Sequence, residues 1–188
     1  LLSHIFSYAM RWGQVDRNPC LGVAKHPEKG RDRYITDQEF ESVKKLASDL
    51  ISTVMDFAYI TAMRKGDILK LKLEQVTDEG IWIKQSKTGS KQLYEWTNGL
   101  IDVVSRAKSL KRPVRGLYLF CTRQGQPYSD TGFKAMWNRV QVKWAESGGE
   151  RFTFHDIRAK ALTDAKRMGM DAQSLAGHAT SAMTEHYI

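Results

Sequence analysis

The sequence predicts a mainly α-helical domain carrying a small three-stranded antiparallel β-sheet, an α+β class. Three observations predict it. Apolar residues recur at helical spacing along most of the chain. Two short runs of strand-forming residues flank a glycine-containing turn. A hydrophobic content of 41% over 188 residues is enough for one well-buried core.

Taken in order, Leu1, Leu2, Ile5, Phe6, Ala9 and Trp12 share one face and predict a helix from Leu1 to about Gly13. Asn18-Pro19 breaks it. The stretch to Arg33 holds Gly22, Pro27 and Gly30 with Lys25, Lys29, Arg31 and Arg33, the composition of a linker. The expected organisation is therefore 1–18 as the last helix of a preceding domain, 19–33 as an interdomain linker and 34–188 as a new domain. The chain opens at Leu1 without a Met, and it is read as a fragment of a longer protein.

Thr36-Asp37-Gln38-Glu39 has the form of a capping box ahead of Phe40, Val43 and Leu46. A strongly apolar helix is expected over Ser52 to Met63, and a short helix from Gly66 that extends by Leu73. Ile81-Trp82-Ile83 and Leu93-Tyr94-Glu95-Trp96 read as a hairpin around Lys87-Thr88-Gly89-Ser90, with Leu73 to Val76 as the third strand. Helices follow over about Gly99–Leu110, Asp130–Glu146 and His155–Met168, with two short pieces after Asp171.

The charge balance, 29 Lys and Arg against 21 Asp and Glu, gives +8 and favours a polyanionic partner, nucleic acid ahead of membrane. Cys20 and Cys121 are too few for a disulfide framework or a zinc knuckle, and a reducing cytoplasm fits best. No segment is apolar for long enough to span a bilayer, and no signal peptide is evident.

Four segments carry candidate chemistry: Thr61-Ala62-Met63-Arg64-Lys65-Gly66-Asp67, Gln85-Ser86-Lys87-Thr88-Gly89-Ser90-Lys91, Thr153-Phe154-His155-Asp156-Ile157-Arg158, and Leu175-Ala176-Gly177-His178 with Tyr187 nine residues beyond. Singly, each has an ordinary explanation. Arg64 suits a helix end, Lys87 a turn, and Tyr187 a packing site, while His155 and Arg158 simply share a helix face. Together they resemble the tyrosine recombinases, the phage integrase family, most of all the lambdoid phage integrases. Those proteins have an Arg followed by x-G-D/E, a hairpin K-T-G, an H-x-L-R, an L-G-H and a tyrosine nine residues on. All five occur here in the family's order, from about Tyr34 to Ile188. The departures are Ile157 for the usual Leu, Ala176 inserted between Leu175 and Gly177, and a chain that runs only one residue past Tyr187.

The resemblance implies the tyrosine recombinase catalytic fold after a core-binding domain, and site-specific strand exchange on double-stranded DNA for integration or excision of a phage or mobile element. It also implies a homo-tetramer on DNA, with the fragment monomeric alone, and accessory DNA-bending proteins. A phosphodiester under attack becomes a pentacoordinate dianion. Arg64 and Arg158 suit its non-bridging oxygens, since guanidinium is planar, always charged and forks onto phosphate. Such a pair replaces a divalent metal, so no metal or other cofactor is expected. Tyr187 is the expected nucleophile, its phenol ordinarily at a pKa of about 10 and activated by the arginines and by His155 as general base. Lys87 is the general acid that the resemblance implies, and His178 is expected to hydrogen-bond a phosphate oxygen. Asp67, one turn from Arg64, is expected to orient the active-site side chains. Lys25, Lys29, Arg31, Arg33 and Lys91 are the expected DNA-backbone contacts, with Lys70, Lys72 and Lys84 nearby.

Rival readings are a type IB topoisomerase, which nicks and reseals the same ends, and a DNA-binding module without catalysis. A metalloenzyme using His155, His178, His186 and Asp156 matches no standard ligand spacing. A P-loop at Gly89-Ser90-Lys91 lacks its leading glycine.

Overall fold

In the computed structural model, which describes residues 1–24, 26, 33–86, 89–114 and 116–177, the chain divides into two units, Leu1–Asp32 and Arg33–Ile188. The first unit holds helix α1 (Leu2–Arg11). Asn18 does more than break this helix. Its Nδ2 donates to the Ser3 carbonyl at 2.9 Å, and its Oδ1 accepts from the Cys20 amide at 3.0 Å, stapling the departing chain to the first turn. Leu2, Ile5 and Tyr8 on α1 and Trp12 at its C-cap are each more than half exposed. Lys25, Lys29 and Arg31 lie outside the described residues.

Arg33, expected as the last linker residue, opens the second unit. Its guanidinium donates to the carbonyls of Glu150 and Arg151 at 2.9 and 3.0 Å and ion-pairs with Glu39 and Glu150.

The second unit is built on helices α2 (Asp37–Leu46), α3 (Asp49–Thr61), α4 (Lys65–Leu69), α5 (Asn98–Ser109), α6 (Asp130–Glu146), α7 (Asp156–Arg167) and α8 (Ala172–Ala176). The capping box forms: Thr36 Oγ1 accepts from the Glu39 amide and Glu39 Oε2 from the Thr36 amide. α3 starts three residues before the expected Ser52, because Ser48 supplies the N-cap. α3 is the central element. Ile51, Val54, Met55, Phe57 and Ala58 are buried on it, and it packs against both α5 and α7. Edge-to-face aromatics close the core, Phe57 on Phe120 at 5.5 Å and Phe133 on Phe154 at 5.0 Å. A separate small-residue cluster of Ala62, Ala161, Leu162, Ala165, Ala172 and Ala176 lets α7 and α8 approach the end of α3 closely. α8 is one of the two short pieces expected after Asp171; the other falls outside the described residues.

The sheet differs from expectation. Among the described residues it has two antiparallel strands, β1 (Gly80–Lys84) and β2 (Lys91–Glu95), not three. The expected third strand is a single 3₁₀ turn, Leu73–Gln75, followed by one isolated bridge from Val76 to Ile81. The cause is local. Thr77 turns tightly onto the Gly80 carbonyl at 2.8 Å, leaving no length for a ladder. The Gln75 side-chain amide, rather than a strand backbone, donates to the Trp82 carbonyl at 2.9 Å. Gly80 is required here: at φ 146° it lies so close to β2 that a Cβ would overlap the Tyr94 carbonyl.

A buried ionic cluster joins α2, α3 and α7. Lys160, 2% exposed, donates to Asp164 at 2.9 Å, to the Tyr34 hydroxyl at 3.1 Å and to Asp37. The Tyr34 and Tyr59 hydroxyls both donate to the Asp164 carboxylate, at 2.6 and 2.9 Å. Burial pushes the Asp164 carboxyl up, but the hydrogen bonds from Tyr34 and Lys160 outweigh it and hold it below its usual value. Burial pushes the Lys160 ammonium down, yet bonds to Asp37 and Asp164 leave it raised. Asp164 therefore contributes stability that is present above its unfolded value of about 3.9 and is lost as pH falls through its lower folded value. Lys160 contributes stability that is full below about 10.4 and is lost as pH rises through its higher folded value. Lys160→Met should cost about 3–5 kcal/mol in urea unfolding, since it strands a buried carboxylate. Adding Asp164→Leu to that variant should recover part of the loss, and equal midpoints for the single and double variants would show that the two charges are not coupled.

Candidate active site

Four chain segments converge at the C-terminal end of α3. The first is the turn out of α3. Thr61 Oγ1 donates to the Phe57 carbonyl at 2.7 Å and accepts from the Met63 amide. Between them Ala62 adopts a left-handed conformation, φ 48°, the one non-glycine residue to do so among the described residues. Such strain persists only where surrounding structure over-determines it. The reversal delivers Arg64 to the start of α4, half-buried, and Lys65 beside it ion-pairs with Asp130 of α6 at 2.6 Å.

The second segment is the first turn of α7. His155 is exposed at its N-cap, and Arg158, one turn on, is 2% exposed. The Arg158 guanidinium donates from Nη1 to the Ala62 carbonyl and from Nη2 to the Ala176 carbonyl, the latter at 2.9 Å. Both acceptors terminate helices, α3 and α8, whose last carbonyls have no intrahelical donor and carry the negative end of the helix dipole.

The third segment is the β-hairpin. Ile81, Ile83 and Gln85 face inward from one arm, and Gln92 and Tyr94 from the other, Gln92 opposite Ile83 and Tyr94 opposite Ile81. Gln85 Oε1 accepts from Arg64 Nη1 at 2.5 Å. Its Nε2 donates to Gln92 Oε1 at 3.0 Å and to the Ala176 carbonyl at 3.1 Å. Gln92 in turn donates to the carbonyls of Ser174 and Leu175. At the turn, Asp67 Oδ1 accepts from the Ser86 amide at 3.0 Å and from its hydroxyl at 2.6 Å.

The fourth segment is the end of α8. Gly177 takes a left-handed φ of 60°, and a Cβ there would overlap the Gln85 and Gln92 amides. Two hydrogen bonds on the Ala176 carbonyl and one on Gln85 thus connect the guanidiniums of Arg64 and Arg158.

Tyr94 is the phenol that the described residues place beside both arginines. Burial comes first and holds its pKa well above the usual value, although Arg158 and Arg64 pull the other way. It stays protonated and donates to Gln92 Oε1 at 3.1 Å, a structural role rather than that of a nucleophile.

Of the residues singled out from sequence, Arg64, Asp67 and Arg158 come together, with His155 on the same turn of α7 as Arg158. Asp67 acts on the hairpin, gripping the residue before Lys87, and not directly on a guanidinium. Lys91 opens β2 and is exposed opposite Lys84. Lys87, His178 and Tyr187 lie outside the described residues; in the chain they follow or lie beyond Ser86 and Gly177, both parts of the cluster. Sequence reasoning missed Gln85, Gln92 and Tyr94. Their signal was a polar side chain at inward-facing strand positions, where a buried amide must find partners.

Known proteins share this chain's sequence pattern and fold. The family model "Phage integrase family" matches residues 33–188. The prophage integrase IntE of Escherichia coli (strain K12) is 26% identical over 209 residues, covering 100% of this chain and 55% of that protein. The integrase of Escherichia phage HK022 is 23% identical, covering 99% of this chain and 55% of its own. The chain thus spans about half the length of the curated relatives it matches. Among solved structures, a lambda integrase dimer bound to a COC′ core site superposes with a TM-score of 0.78 at 22% identity, covering 99% of this chain and 56% of that one. XerA recombinase superposes with a TM-score of 0.68 at 17% identity, covering 99% and 68%. A mainly helical domain with a small antiparallel sheet, two guanidiniums joined through one hydrogen-bonded network and a family match over 33–188 agree, and the chain belongs to the phage integrase family.

Proposed function

We propose that this chain is the catalytic part of a site-specific DNA recombinase that cuts and rejoins strands through a 3′-phosphotyrosyl intermediate. The observation that carries the reading is the Arg64–Gln85–Ala176–Arg158 network, which gathers two permanent positive charges beside the hairpin and the first turn of α7. Preorganised cations of this kind stabilise the charge that develops on a phosphoryl group under attack.

In this reading Arg64 and Arg158 hold the non-bridging oxygens, and Tyr187 attacks phosphorus. A 5′-hydroxyl leaves with a proton from Lys87, whose hairpin Asp67 anchors at Ser86. His155 takes the phenolic proton and His178 donates to phosphate. The tyrosyl ester keeps the energy of the broken bond, so a 5′-hydroxyl of another strand can reseal it without ATP. The DNA-binding surface includes Lys84 and Lys91, directly opposite each other on the exposed face of the hairpin. Like charges so placed repel unless a polyanion lies against them, which supports a phosphate-backbone contact. Lys25, Lys29 and Arg31 extend that contact in the proposal.

Lambda integrase has been seen as a dimer on a core site and as a tetramer on a Holliday junction, which supports assembly of the whole protein as a tetramer on DNA, aided by accessory DNA-bending proteins. No helix among the described residues is long and apolar enough to cross a membrane, in keeping with action on DNA in a bacterial or phage-infected cytoplasm.

The test is a nicked suicide substrate whose short downstream strand diffuses away after cleavage. Mass spectrometry of the trapped adduct should place the phosphate on Tyr187. Tyr187→Phe should abolish the adduct and leave DNA binding nearly unchanged; a surviving adduct would move the nucleophile elsewhere. Supercoil relaxation without exchange between two sites would favour a type IB topoisomerase instead. Arg64→Ala should slow single-turnover cleavage by at least ~10²-fold, the scale for losing a preorganised charge-stabilising donor. Arg158→Ala should do the same and also lower the melting temperature, because it removes a donor from the end of α3 and one from the end of α8. Lys87→Ala should regain most of its rate on a substrate with sulfur as the 5′ leaving atom, which needs no proton to depart; no recovery would remove the general-acid role.

A further inference from the structure

We infer that Gln85 is a positioning residue for the cleavage step: its amide fixes the two guanidiniums relative to each other without neutralising either. The inference rests on the recombinase reading above and adds to it the group that holds the arginines in place.

A primary amide has one oxygen to accept and one NH₂ to donate, and the partners of Gln85 use both ends in one consistent direction. The oxygen takes a hydrogen from Arg64. The nitrogen gives one to the Ala176 carbonyl, the same oxygen that holds Arg158, and one to Gln92. Rotating the amide by half a turn would set NH₂ against a guanidinium and oxygen against a carbonyl, so the network admits one orientation. Gln92 extends the same polarity, accepting from Gln85 and Tyr94 and donating to the carbonyls of Ser174 and Leu175. With Gln85 3% exposed and Gly177 packed against it, the amide has little room to move.

The choice of an amide has a chemical consequence. A carboxylate at this position would bind Arg64 more strongly, but it would cancel the charge needed by a phosphoryl dianion and repel the Ala176 carbonyl. A neutral amide orients Arg64 and leaves its charge for the substrate. Because one carbonyl serves both Gln85 and Arg158, displacement of the hairpin is transmitted to both cations at once.

The experiment measures single-turnover cleavage of the nicked substrate by the full-length protein and by its Gln85→Leu and Gln85→Glu variants. Gln85→Leu should lose about 10²-fold in cleavage rate, the penalty for ångström-scale misplacement of a catalytic group, with little change in DNA affinity. Unlike the Lys87→Ala defect, this loss should persist with the sulfur leaving group, since the arginines and not the general acid are displaced. The Gln85→Glu defect should shrink as pH falls from ~8 towards ~5, because a neutral carboxylic acid again offers one acceptor and one donor. In parallel, the Arg64 Nη protons should show slowed exchange by NMR in the parent protein and lose it in Gln85→Leu. A Gln85→Leu rate within about threefold of the parent, rescue by sulfur, or a Glu defect that is flat with pH would each overturn the inference. Adduct formation by the unsubstituted protein tests the recombinase reading alone. Were no adduct to form, that reading would fall, and an Arg64 signal unchanged by Gln85→Leu would remove the amide's positioning role as well.

Discussion

The structure turns on the burial of Arg158. Taking a guanidinium out of water costs several kcal/mol unless its donors are matched. Here Nη1 and Nη2 are matched by the carbonyls of Ala62 and Ala176, both at helix ends where the backbone supplies no intrahelical donor. The charge closes α3 and α8, and those helices fix the charge. The turn after α3 holds Ala62 in a left-handed conformation, and its carbonyl meets Arg158 of α7.

Close approach is the second requirement. α7 and α8 meet the end of α3 through alanines, and Gly177 lets the hairpin amides lie against the end of α8. Larger side chains would bury more apolar area but would separate the carbonyls from Arg158 by more than a hydrogen bond can span. The bulky aromatic packing of Phe57, Phe120, Phe133 and Phe154 belongs to the separate, larger core cluster. The molecule thus separates the packing that stabilises it from the packing that brings charges together.

A second buried cation, Lys160, lies two residues after Arg158 and is held differently, by two carboxylates and the Tyr34 hydroxyl instead of carbonyls. The contrast matches their proposed tasks. Asp164 and Asp37 cancel the Lys160 charge, which ties α7 to the start of the domain. The bonds from Arg158 to Ala62 and Ala176 go to neutral carbonyls, and Asp67 accepts from Ser86. Neutral carbonyls hold an arginine and leave its charge available to a phosphate.

Much was legible in the sequence because it depends on local rules. The capping box at Thr36, the span of α6, the glycine hairpin and the spacing that unites His155 and Arg158 on one turn all follow from a few neighbouring residues. The motifs at Arg64, Asp67 and Arg158 could likewise be named from residue type and order. What the tertiary structure decided depends on partners far apart in the chain. The third strand failed because the turn at Thr77 and the Gln75 amide used up its length. That Arg33 bonds to the carbonyls of Glu150 and Arg151 depends on residues more than a hundred positions away. Gln85 could not be distinguished from an ordinary strand residue until Arg64 and Ala176 were seen at its two ends, since a hydrogen-bond network between distant segments leaves no periodic trace in the sequence.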